Sequence, residues 1–295
     1  MIEAHGLTSP AAPFSGAAPA PDALQLSFGR IMASEWIKFR TLRSTVWTLA
    51  ITVVVMVAIA AAFSAFFHAD PQAVDATSDT PAAARAMVVW GVGGTMAGMA
   101  QLAVVVLGAL AITGEYTTGM IRSTLAAVPQ RLLALWAKGI VLAVSVFSVS
   151  TVAVAISWGV MRLFLGGDGL APDLGDADTV RCLVGIPLYL TAIALFAFAI
   201  GALLRHSAGA LATVLGVLLV LPNLFLIPWE PLQKLSPFLP SSAGLRIVMP
   251  QSIIDAMSKT ATNTVLGPWQ GYGVLMIWIV VLGTAAAVLL RRRNA

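Results

Sequence analysis

The chain has 295 residues, 59% of them hydrophobic and 10% charged, with a mean hydropathy of +0.91. Soluble domains carry charge at about a quarter of their positions, so a water-soluble fold is excluded and an integral membrane protein is expected. The net charge of +4 does not point to nucleic acid, because the basic residues flank apolar runs and form no patch; the single Cys182 excludes an intrachain disulfide and makes a thiolate metal cluster implausible.

Residues 1–26 are rich in Ala, Pro, Gly and Ser without apolar periodicity, the composition of a disordered tail. No apolar core lies within the first thirty or so residues, so a signal peptide is not expected there. From 27 to 45 the character changes. Phe28, Ile31, Met32, Trp36 and Phe39 alternate with Arg30, Glu35, Lys38, Arg40 and Arg43. This is the make-up of an amphipathic helix at a membrane interface, with Trp36, Lys38, Arg40 and Arg43 as its marker residues; a plain basic flank to the first span is the compatible, blander reading.

Six apolar stretches follow within residues 46–290, at 46–67, 88–112, 139–161, 183–204, 208–227 and 269–290. Each is near the roughly 20 residues that cross a bilayer as a helix, so the fold expected is all-α with six transmembrane helices. An even number of spans places both termini on one side. If that side is cytoplasmic, the inside holds eleven of the 17 Lys and Arg residues, including Arg291, Arg292 and Arg293 of the basic C-terminus at 291–295. The positive-inside rule therefore supports cytoplasmic termini.

Between the second and third stretches lies a short polar and basic island, from Gly114 through Arg122 to Arg131 and Lys138. Tyr116, Met120, Ile121, Leu125 and Val128 have the spacing of one helix face. A short amphipathic helix is expected, with Glu115 at its positive N-terminal end and Pro129 closing it. The third outer segment, 228–268, is unusually apolar and broken by prolines, which suggests small helices capping the bundle or dipping into the outer leaflet.

The six apolar cores contain no Asp, Glu, Lys, Arg or His, which disfavours proton coupling and intramembrane proteolysis. Three scattered histidines make no metal site, and no segment matches Gly-x4-Gly-Lys-Ser/Thr, so no phosphate-cradling loop is present. Gly94-x3-Gly98 is the small-residue spacing of close helix approach; contact with a second subunit and packing within one chain remain equal alternatives.

Gly114-Glu115-Tyr116-x2-Gly119-x-Ile121-Arg122-x-Thr124-Leu125, followed by Val128-Pro129-x-Arg131 and Lys138, resembles the cytoplasmic signature of type 2 ABC transporter permeases of the actinobacterial type. Ser34-Glu35-Trp36-x-Lys38-x-Arg40-Thr41-x-Arg43-Ser44 resembles their interfacial segment, and Leu239-Pro240-Ser241-Ser242-Ala243-Gly244 the outer segment before their last span. The resemblance runs from Leu26 almost to the end and leaves the tail unexplained. It implies a multi-pass permease of a bacterial plasma membrane, working as a dimer with a separate ATP-binding subunit. ATP and Mg would then sit on that partner, and no cofactor on this chain. It further implies that the island is the coupling helix, with Glu115, Tyr116, Gly119, Met120, Arg122 and Arg131 facing the ATPase. Charge-free spans suit export of an amphiphilic drug, antibiotic or peptide. The competing reading is a non-transporting membrane scaffold that recruits a cytoplasmic partner; a membrane enzyme has no candidate residues.

Overall fold

A computed structural model describes residues 28–70, 80–119, 131–225, 230–260 and 264–292. The described residues form helices and connections and no strand, and six helices are long and apolar enough to cross a membrane. The chain is an all-α, multi-pass protein.

The amphipathic, basic segment forms α1 (Phe28–Thr41), and a single extended residue, Leu42 (φ −71°, ψ 112°), separates it from α2 (Arg43–Ala69), the first of the six long apolar helices. The second span, α3 (Pro81–Thr117), starts where Thr80 accepts a hydrogen bond from the Ala83 N–H and Pro81 takes the first turn, a position where its missing N–H costs nothing. The third span, α4, covers Arg131–Leu165. The fourth, α5 (Ala177–Leu204), is capped by Asp176, which accepts from the Asp178 and Thr179 N–H groups; the Thr179 hydroxyl and N–H bonds hold its carboxyl below the ordinary value of 3.8. The fifth, α6 (Ser207–Leu224), contains a π-helical turn at Gly216–Val220 just before Pro222, where the proline cannot donate to the helix ladder.

The outer segment is made of α7 (Glu230–Leu235), α8 (Pro240–Gly244) and α9 (Gln251–Thr260), joined by short 3-10 turns, and leads to the sixth span, α10 (Pro268–Arg292). Its small helices pack against α5 and α10. Arg181 at the start of α5 fastens it, donating to the Ile247 and Met249 carbonyls (both 2.8 Å) while paired with Asp178; Asp178 in turn accepts from the Gln251 N–H.

The fourth span is the centre of the bundle, with 72% of its apolar stretch buried against 17% for each of the fifth and sixth. The α3–α5 seam is closed by small residues. A Cβ at Gly108 would collide with the Ala194 carbonyl, and one at Gly201 would lie 2.8 Å from Ile112 Cγ2 and 3.1 Å from the Ala109 carbonyl. Close helix approach within the chain therefore falls at Gly108 and Gly201. Gly98 has nothing within 4 Å of where its Cβ would be, and Gly94 faces only Trp90 of its own helix, so the Gly94-x3-Gly98 spacing closes no seam in one chain. Higher on the same seam Tyr189, fully buried, donates to Gln101 Oε1 at 2.7 Å, which satisfies two polar groups at membrane depth.

The two ends of the bundle are chemically distinct. One joins His68 at the end of α2 to Asp168 after α4 (2.7 Å), together with Arg181 and the outer segment. The other carries α1, the end of α3, the start of α4 and the α5–α6 turn, and holds the candidate site.

Candidate functional site

Among the described residues, the end of the molecule that carries α1, the end of α3 and the start of α4 has two acidic residues, Glu35 and Glu115. The fold brings them together. Glu35 is the inward-facing acid of α1, 4% exposed; Glu115 lies in the last turn of α3, 8% exposed; Lys138, 9% exposed, rises from α4 between them. The Lys138 ammonium donates to Glu35 Oε2 at 2.5 Å and to Glu115 Oε1 at 2.8 Å. Lys38, one turn on from Glu35 in α1, donates to Glu35 Oε1 at 2.9 Å and stands 3.8 Å from Glu115 Oε1. Two carboxylates and two ammonium groups thus form a net-neutral cluster that ties α1 to the second and third spans.

Packing sets the geometry. Ile31 of α1 lies against Ala134 and Ala137 of α4 in a small buried cluster, so Glu35, four residues on, points at the same helix. Burial by itself raises the Glu35 carboxyl, but the charge and hydrogen bond of Lys138, with Lys38 assisting, reverse this and leave it below its ordinary value of 4.5. Glu115 Oε2 is buried without a hydrogen-bond partner, so one acceptor of the cluster is unfilled.

The expected coupling helix needs correction at its N-terminus. Glu115 and Tyr116 do not start a separate helix; they complete α3, which runs through to Thr117. One glycine, Gly114, costs a helix about 1 kcal/mol, too little to break a long span with no proline before Pro129. The break comes at Gly119, whose φ of +71° is the left-handed conformation that favours glycine at a helix C-terminus; its N–H reaches the Tyr116 carbonyl (3.4 Å) and that of Thr118 reaches Gly114 (3.1 Å). Glu115 therefore sits at the negative end of a helix dipole, opposed by it, and the two lysines supply the compensation.

Tyr116 is not an open anchor either. The Arg205 guanidinium lies 5.3 Å from its ring centroid, and Arg205 closes the α5–α6 turn in a left-handed conformation (φ 56°). Met120 and Arg122 lie outside the described residues, and Arg131 opens α4. In α1, Trp36 and Arg40 are exposed and Lys38 belongs to the cluster; Arg43, also exposed, is the first residue of α2.

At the far side of the bundle an open cavity of about 300 Å³ lies between α5, α6, α10 and the outer segment, lined by Phe196, Val217, Leu239, Trp278 and Leu282 among others. Thr213 carries the one hydroxyl in the lining, and the Trp278 N–H is already donated to the Phe238 carbonyl at 3.0 Å. Such a wall accepts an apolar group and offers nothing to a charged one.

No family model matches the chain, and no curated protein matches it significantly.

Proposed function

We propose that the chain is the membrane permease subunit of an ATP-driven exporter of the type 2 ABC class, forming a path for an amphiphilic solute as a dimer and driven by a separate ATP-binding subunit. The observation that carries the reading is the Glu35–Lys138–Glu115–Lys38 cluster. It welds the interfacial helix to both spans that flank the segment 114–138, the stretch whose residues resemble the ATPase-contacting signature. A push on that segment would be delivered through Glu115 and Lys138 to α3, α4 and α1 together. In this reading Glu115 is a positioning residue inside the permease, and direct contact with the ATPase falls to Met120, Arg122 and their neighbours. Apolar spans and the apolar cavity by α6 and α10 support an amphiphilic cargo.

The test is purification of the full chain from its native host, with identification of whatever protein accompanies it and measurement of ATP hydrolysis. A co-purifying ATPase whose activity responds to amphiphilic compounds is expected. Arg122→Ala should lower the amount of ATPase recovered, whereas Glu115→Ala should leave the ATPase bound but reduce stimulation by the compounds. Recovery of a partner with no ATPase activity would favour the scaffold reading.

A further inference from the structure

The cluster has a consequence for the opposite side of α1. Glu35 is the only acid in α1, and it is turned inward and neutralised. A helical repeat of 3.6 residues places Arg30, Ile37 and Arg40 on the face opposite Glu35, with Trp36 beside them. Arg30, Arg40 and Arg43 are all exposed, and no acid among the described residues accompanies them on that surface. Between the arginines stand exposed apolar groups: Phe28, Trp36 (39% exposed), Ile37 (61%) and Leu42, continuing into Val46 and Trp47 (68%) at the top of the first span.

A face that mixes guanidinium groups with Ile and Trp suits neither plain water nor hydrocarbon. It matches the boundary layer of a bilayer, where phosphates lie beside the first methylenes. Its position requires the same, because only Leu42 separates α1 from a helix that crosses the membrane. We propose that the outward face of α1, with Arg30 and Arg40, together with Arg43 at the start of α2, is a binding surface for the headgroups of anionic phospholipids. The arginines engage the lipid phosphates with paired N–H donors while Trp36 and Ile37 enter the acyl boundary. The inward turn of Glu35 is what makes the surface selective, since an exposed carboxylate there would repel the same headgroups. This inference needs α1 to lie at a membrane surface and does not depend on what the protein transports.

The experiment is native mass spectrometry of the full-length protein released from micelles containing equal amounts of phosphatidylglycerol and phosphatidylcholine. Wild type should retain phosphatidylglycerol at least tenfold over phosphatidylcholine at low salt, and the preference should shrink in about 0.5 M salt, where screening is short-ranged. Each arginine near an anionic surface contributes about a fivefold factor, so Arg30→Gln/Arg40→Gln/Arg43→Gln together should remove most of the preference. The Lys triple should keep much of it, and Arg162→Gln, at the other end of the bundle, should change nothing. Equal retention of the two lipids by wild type would overturn the proposal, as would an undiminished preference in a folded Gln triple. A Gln triple that keeps its lipids but loses a bound protein would assign the face to a protein contact instead. Should the Gln triple fail to fold, a wild-type preference that ignores salt would refute the idea on its own.

Discussion

At the scale of the residue, Lys138 is the most consequential side chain described. Among the described residues it is the cation that hydrogen-bonds both buried carboxylates, and its removal leaves two acids with little water and only the more exposed Lys38 to balance them. Breaking a buried pair from one side costs about 3–5 kcal/mol, against under about 1 kcal/mol for a surface pair. Lys138→Met should therefore lower the unfolding temperature of the detergent-solubilised protein sharply, and adding Glu35→Gln and Glu115→Gln should restore most of the loss. A single variant as stable as wild type would mean that the cluster is solvated. Acid should act on the same group. The folded-state value of Glu35 is depressed, so its contribution is complete above the ordinary value of 4.5 and is lost as pH falls through the lower folded value. A thermal-unfolding series from pH 7 downward should show wild type losing stability below about pH 4.5 and Glu35→Gln losing less.

At the scale of the element, two seams decide how rigid the bundle is. Along α3 and α5, Gly108→Val or Gly201→Val forces a side chain into backbone atoms, and overpacking of this kind costs about 1–3 kcal/mol. Gly98→Val meets open space and should leave thermal unfolding of the isolated chain nearly unchanged. If a second copy of the chain seats on that stretch of α3, the same variant should shift the population toward monomer in nanodiscs; an unchanged oligomeric state would remove Gly98 from any such contact. The second seam is the Arg181 fastening. Arg181→Met strips two backbone carbonyls of their donor and leaves Asp178 with the Gln251 N–H but without its cation. Hydrogen exchange should rise across 245–259 while the α1–α4 junction stays protected, because the two sites occupy opposite ends of the bundle.

At the scale of the whole molecule, the pairing of ends supports the proposed orientation. Even-numbered crossings put α1, the end of α3, the start of α4 and the Arg205 turn at one end, and that is also the end with the excess of basic residues. Single cysteines at Asp173 and Lys259, both exposed at the opposite end, should react with an impermeant thiol reagent in intact cells, and one at Arg40 should not. Native Cys182 is 1% exposed and gives little background. Labelling at Arg40 alone would invert the topology.

How much of this was legible beforehand differs by kind of interaction. The number of helices long and apolar enough to cross, the helix before the first of them and the small helices before the last follow from runs of apolar residues and from prolines. These are local properties, because each helix satisfies its own backbone in lipid whatever its neighbours are. Where α3 stops was misplaced, since periodicity cannot distinguish a new helix from the continuation of one already in phase; the left-handed Gly119 decides it. The Gly94-x3-Gly98 spacing left packing within the chain and contact with a second subunit open, and the close approach between α3 and α5 falls at Gly108 and Gly201 instead, because small residues are common throughout these spans and only the facing helix selects among them. The charge cluster joins residues 35 and 138, 103 positions apart. Glu35, Lys38, Glu115 and Lys138 all stand in the recognisable motifs, yet nothing in their spacing says that they meet. Hydrophobicity and charge act residue by residue, so the number of helices able to cross and the basic character of one end could be read along the chain. The burial of Glu35 and Glu115 against Lys138 and the outward face of Arg30 and Arg40 emerge on folding, because pairing across helices depends on rotation and depth that no single segment contains.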